Sequence, residues 1–163
     1  LTVGVLLSQQ GGAEALVLWG LYREISAIVK QAREMDLKVE LVGGDGFVSQ
    51  AFLDLAGPAA EGVVATYPYD VEAKDAGNRA FVEAYQADYG REPDSFGAHG
   101  YDAMNVLLTA VAKGGQNRAR VRDALALTTD FPGVTGPITF DNVGGDKRSP
   151  PLARVKGGKF VVL

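Results

Sequence analysis

Cysteine is absent from this 163-residue chain, and histidine occurs once, as His99. The first absence removes disulfides, thiolate nucleophiles and thiolate metal sites together. The second removes any metal site built from several histidines of one chain. Long apolar runs are missing too, since none approaches the ~20 residues that a membrane-spanning helix needs. An excess of basic charge is also lacking. Sixteen Lys and Arg against twenty Asp and Glu leave a net charge of −4, and neither half of the chain is strongly basic. That argues against a nucleic-acid partner. The chain opens on Leu1 rather than Met, with no signal-peptide pattern. It reads as processed, trimmed or engineered at that end.

What is present points to a folded chain. Hydrophobic residues make up 47% and charged residues 22%, which is incompatible with disorder. The 21 glycines follow no fixed period, which excludes a collagen-like repeat. They suit an α/β protein, in which each strand-to-helix turn favours a glycine. The length fits one domain with a real core.

Short apolar runs alternate with helical spacing. Leu1–Leu7 and Ala15–Trp19 read as strands buried on both faces, separated by the polar loop Ser8-Gln9-Gln10-Gly11-Gly12. From Tyr22 to Met35 the residues Ile25, Ile28, Val29 and Ala32 fall on one helical face. A strand follows over Lys38–Val42, closed by Gly43-Gly44-Asp45-Gly46. Ser49 is placed to cap a short helix through Ala56, which Gly57-Pro58 stops. Gly62–Thr66 is a further strand. This strand–helix order predicts parallel strands with right-handed crossovers in a three-layer, doubly wound, mostly parallel sheet.

After Tyr67-Pro68-Tyr69-Asp70 the character changes. Three helices are predicted, over about Asp75–Tyr89, about Ser95–Lys113 and from Asn117. The first should bury Phe81, Tyr85 and Tyr89. The second should bury Tyr101, Met104, Leu108 and Val111, and the third carries Val121, Ala124 and Leu125. From Gly133 strands return, with Gly136–Phe140, then a turn over Asp141–Asp146. Leu152–Val155 and Phe160–Leu163 form a C-terminal hairpin through Lys156-Gly157-Gly158-Lys159. The chain is taken as a single α/β domain over 1–163. Its segments are 1–14, a 15–66 βαβαβ unit, a helical 67–132 and C-terminal strands at 133–163. TYPYD at 66–70 is the candidate crossing between lobes.

No motif carries catalysis. Gly44-Asp45-Gly46-Phe47-Val48-Ser49 falls one glycine short of the dinucleotide fingerprint and sits late in the βαβ run. No phosphate-binding loop or nucleophile elbow is present. His99 lies inside a helical pattern, where a core or helix-face role is expected. Asp141–Asp146 lacks the spaced ligands of a calcium loop and reads as a solvated turn. No cofactor, metal or catalytic residue is therefore expected.

Topology places a ligand outside the C-terminal ends of the strands. Those ends carry Ser8, Gln9 and Gln10, then Trp19, Leu21 and Tyr22, then Asp45 and Phe47, then Tyr67. Aromatic walls, hydroxyls and one carboxylate suit a small organic ligand with an apolar part and a cationic or hydroxyl group. One carboxylate does not make an acid–base pair. Trp19 and Tyr22 can equally be packing residues, and Asp45 an ordinary turn residue.

The stretches WGLYREISAIVKQAREMDL (19–37), ELVGGDGFVSQAFLDLAGPAAEGVVATYPYD (40–70) and NRAFVEAYQADYGREPDSFGAHGYDAMNVLLTAVAKGG (78–115) carry a resemblance. RVRDALALTTDFPGVTGPITFDNVGGDKR (120–148) and the closing RVKGGKFVVL continue it. Together they resemble the second half of the type I periplasmic solute-binding proteins of the Leu/Ile/Val-binding branch. TVGVLLS resembles the family's first strand, which leads into a ligand loop. The resemblance implies a flavodoxin-like lobe of a two-lobed fold that closes on a small ligand such as an amino acid, amide or aromatic acid. It implies no catalysis, an ABC-transporter permease as partner, no membrane insertion, and a periplasmic or extracellular, lipid-anchored or secreted location. It places the acidic residue that receives a ligand ammonium at Asp45. It places ligand contacts at Leu21 and Tyr22, with Leu21 standing where tyrosine is more usual.

Family members are roughly twice as long, and Gly11–Ala15 stands where most of the first lobe is expected. The readings are a fragment, a deliberate deletion or chimera, or a naturally shortened member. A binding component of an importer is the leading function. A single-lobe fragment that folds without binding, and a ligand-sensing receptor domain, are the alternatives.

Overall fold

Glycine punctuation and short apolar runs produce the alternation the sequence predicts. The structure is a computed structural model and describes residues 12–163. The strand expected over Leu1–Leu7 and the loop residues Ser8, Gln9 and Gln10 lie outside the described residues. Along the chain come β1 (Ala15–Leu18), α1 (Tyr22–Glu34), β2 (Glu40–Gly43), α2 (Gln50–Ala56) and β3 (Val64–Thr66). Then follow α3 (Ala76–Tyr89), α4 (Ser95–Gly114), α5 (Arg118–Ala126), β4 (Phe131–Gly133), β5 (Gly136–Ile138), β6 (Leu152–Lys156) and β7 (Lys159–Val162). Short 3-10 turns occupy Asp45–Phe47 and Gly57–Ala60. Two compact units result. One runs up to Pro68 and resumes at Pro150–Leu163, and the other is Tyr69–Ser149.

In the first unit the sheet order is β1-β2-β3-β6-β7. β1, β2 and β3 are parallel, joined through α1 and α2, and the antiparallel hairpin β6–β7 extends the sheet beyond β3. The hairpin turn uses Gly157 and Gly158, both at positive φ (56° and 75°), where a side chain would be strained. Leu41, Ala65 and Val155 of the sheet, with Val63 just before β3, bury against Ile25, Val29 and Ala32 of α1 and Phe52 and Ala56 of α2. Each large side chain so buried contributes about 1.5–3 kcal/mol over leaving it in water. The Ser49 hydroxyl accepts from the Phe52 amide at 3.3 Å and caps α2, which Gly57 ends at φ 56°. The other sheet face shows exposed Val17, Leu152 and Val161.

The second unit starts with an anchor. The Tyr69 hydroxyl donates to Asn78 Oδ1 at 2.9 Å, and Asn78 Nδ2 reaches the carbonyls of Val71 and Ala73 at 3.1 Å each. Asp75, Asp94 and Asn117 cap α3, α4 and α5 by accepting from the amides of Asn78, Gly97 and Ala119. Two expected burial patterns are overturned. Tyr89 of α3 is exposed, and Tyr101, Met104, Leu108 and Val111 of α4 are 41–57% exposed. The buried side of α4 is instead Ala98, Asp102, Val106, Ala110 and Gly114. Small residues let α5 come close: a Cβ on Gly114 would stand 2.6 Å from the Val121 nitrogen. The strand expected at Gly136–Phe140 is shorter, Gly136–Ile138, and pairs antiparallel with Phe131–Gly133, a run with no strand pattern in the sequence.

Candidate functional site

The parallel pairing of β1 and β2 sets Leu18 opposite Gly43 and so brings the two following turns side by side. The Gly44 amide donates to the Leu18 carbonyl at 3.4 Å. Glycines then let the turns touch. A Cβ on Gly43 would stand 2.6 Å from the Leu18 carbonyl oxygen. One on Gly46 would stand 2.8 Å from the Gly20 carbonyl and 3.7 Å from Leu21 Cδ2. One on Gly44 would meet three consecutive indole carbons of Trp19, at 3.1, 3.3 and 3.4 Å. In the sequence GGDG reads only as a turn. That the turn must be glycine because another turn lies on it is visible only in three dimensions.

Three expected rim residues therefore share one patch, all within the first unit. Trp19 is 86% exposed, Leu21 is 57% exposed, and Asp45 is exposed at the start of its 3-10 turn. The Asp45 carboxylate has no hydrogen-bond or ion-pair partner among the described residues. Tyr22 opens α1 and is half-buried, with the Arg23 guanidinium 5.9 Å over its ring. Tyr67 follows β3, one strand further along, and its half-buried ring stacks on Phe160 with centroids 5.9 Å apart. Phe47 is not on the rim. It is fully buried, 4.8 Å from the Phe52 ring, so it supports the Asp45 turn from within the core. Its aromatic bulk reads as a wall in the sequence, but the 3-10 turn rotates it inward. Ser8 and Gln9 lie outside the described residues.

The chemistry elsewhere is structural. His99 Nδ1 is paired with the Ser95 carbonyl at 2.7 Å within α4, a helix-face position. Among the described residues no group of three or more His, Cys, Asp or Glu is placed to hold a metal. Amide hydrogen bonds from Gly145 and Val143 hold the Asp141 carboxyl below its ordinary value of 3.8. The order this lends the turn is present above that ordinary value and is lost as pH falls through the lowered one. Partial burial pushes the Asp146 carboxyl up, but the Arg148 guanidinium at 2.6 Å outweighs it and leaves it lowered. A cleft of about 310 Å³ lies at the N-terminal ends of β1 and β2, between Glu14, Arg33 and Glu40, away from the rim. Another, of about 420 Å³, lies between α4 and α5.

A family model described as periplasmic binding protein matches residues 5–159. The Leu/Ile/Val-binding protein homolog 2 of Brucella abortus is 31% identical over 143 residues, covering 87% of this chain and 38% of that protein. The crystal structure of a leucine-binding protein of Thermotoga maritima superposes with a TM-score of 0.89 at 30% identity, over 99% of this chain and 47% of that one. A branched-chain amino-acid transporter binding protein of Streptococcus pneumoniae, solved in complex with isoleucine, gives 0.82 at 33% identity, over 97% and 47%. This chain thus spans less than half the length of these relatives.

Proposed function

The chain belongs to the periplasmic binding protein family, and from that premise we propose that it binds a small amino-acid-like ligand, without catalysis, as part of the substrate-binding component of an ABC importer. The observation that carries this reading is the unpartnered Asp45 carboxylate beside exposed Leu21 and Trp19 at the C-terminal ends of β1 and β2. A carboxylate left free among apolar side chains suits a ligand that brings an ammonium and an apolar group together. The ammonium would donate to Asp45, and the apolar part would lose its water against Leu21, Trp19 and Tyr22. Ser8, Gln9 and Tyr67 are proposed as further contacts. The leucine-binding and isoleucine-bound relatives support the ligand class. A permease partner and a periplasmic or extracellular, lipid-anchored or secreted location belong to the same proposal. No described helix is long and apolar enough to cross a membrane.

Isothermal titration of the folded chain with leucine, isoleucine, valine and their N-acetyl derivatives tests the reading. Binding of the free amino acids is expected. Asp45→Ala should weaken them by about 1.5–3 kcal/mol, the scale of a hydrogen bond to a charged group. It should leave N-acetyl compounds unchanged, since they bring no ammonium. The short span relative to the relatives favours a second reading, a single-lobe piece that folds but holds no ligand. Silence across the panel, with no shift in melting temperature, would select it.

A further inference from the structure

Trp19 is the single tryptophan of the chain, and its indole is far more exposed than an aromatic that packs. It nevertheless lies against the neighbouring turn. Three consecutive carbons of its six-membered ring stand at nearly equal distances, 3.1, 3.3 and 3.4 Å, from the Cβ position of Gly44. Near-equality means that the ring turns its face to the glycine. An edge-on approach would leave the two flanking carbons clearly farther than the middle one. One face of the indole therefore lies over buried Gly44, the residue that precedes Asp45, and the ring is otherwise 86% exposed. Tyr22, the nearest other rim aromatic in sequence, is covered by the Arg23 guanidinium. Tyr67 stacks on Phe160 and Phe47 is buried, so among the described rim residues Trp19 is the one exposed aromatic, where a cage for a quaternary ammonium would need several.

We propose that Trp19 is a stacking platform that selects ligands carrying an aromatic ring together with a primary ammonium. The ring stacks on the open indole face while the ammonium donates to Asp45. This rests on the proposal that the rim is the ligand site, and it narrows the ligand from apolar amino acids to aromatic ones.

L-Phenylalanine, L-leucine and choline are the probes, read by titration and by iodide quenching of Trp19 fluorescence. Phenylalanine should bind several-fold to about tenfold tighter than leucine, the scale of one aromatic pair beyond its buried area. It should also shield Trp19 from iodide more than leucine does. Trp19→Leu should abolish the preference, and Trp19→Phe should keep most of it. Because Trp19 is exposed, both variants are expected to fold, as far-UV circular dichroism will check. Leucine bound as tightly as phenylalanine, with the affinity ratio unmoved by Trp19→Leu, overturns the platform while the ligand site stands. Tighter binding of choline overturns the aromatic selection in favour of a cation–π site. No binding of any probe by the folded chain removes the ligand site and the platform with it.

Discussion

Asp102 is only 3% exposed in the second unit, where an unpartnered polar group would be costly. It is fully engaged instead. Its oxygens accept from the amides of Val134 and Thr135 at 2.8 and 2.9 Å and from the Thr135 hydroxyl at 2.7 Å. Gly133 is the residue that makes this possible, since a Cβ there would stand 2.6 Å from the carboxylate. The carboxylate thereby fastens α4 to the turn between β4 and β5. Asp102→Ala should leave both amides without a partner and destabilise this unit by at least about 2 kcal/mol. Asp102→Asn keeps one acceptor and should cost less. Amide hydrogen exchange at Val134 and Thr135 measures this directly, and unchanged protection in Asp102→Ala would refute it. Composition alone gives no sign of this role, because a lone aspartate in an apolar helix pattern has the same letter whether solvated or buried.

At the scale of the element, α4 has two apolar faces with different fates. Ala98, Val106, Ala110 and Gly114 are buried with Asp102, while Tyr101, Met104, Leu108 and Val111 are exposed. Leu108→Lys should therefore change stability by less than about 0.5 kcal/mol, since lysine is as good a helix former and loses no packing. Ala110→Leu, on the buried face, should cost about 1–3 kcal/mol by overpacking. Thermal melts of the two variants distinguish these faces, and a large loss in Leu108→Lys would mean that something covers that face in solution. The helix itself is plain in the sequence, because apolar spacing fills its length and the Gly114-Gly115 pair marks its end. Which stripe is buried is not, because periodicity reports that a face is apolar and not what packs on it. The shortest strands behave similarly. Gly157-Gly158 announced the C-terminal hairpin, whereas Phe131–Gly133 pairs through a proline-containing run that carries no strand pattern.

At the scale of the whole molecule, the order of strands and helices in the first unit follows from the sequence because each crossover is short and glycine-bounded. The site was legible in part. Strand ends placed Trp19, Leu21 and Asp45 on one rim, and the structure sets their turns against each other. Phe47 lies in the core rather than on the rim, because its direction depends on the 3-10 turn at Asp45–Phe47, which no apolar period encodes. All the described rim residues, from Trp19 to Tyr67, belong to the unit that ends at Pro68 and resumes at Pro150. A ligand held there stabilises that unit by mass action, by about 2.7 kcal/mol when present at a hundred times its Kd. Hydrogen exchange with and without saturating ligand should therefore slow amides in the turns at 19–22 and 43–48 and in β1 and β2. Amides of 69–149, a separate compact unit that shares none of these residues, should keep their rates. Protection confined to 69–149 would move the ligand away from Asp45, because a ligand slows exchange most where its binding energy opposes local opening.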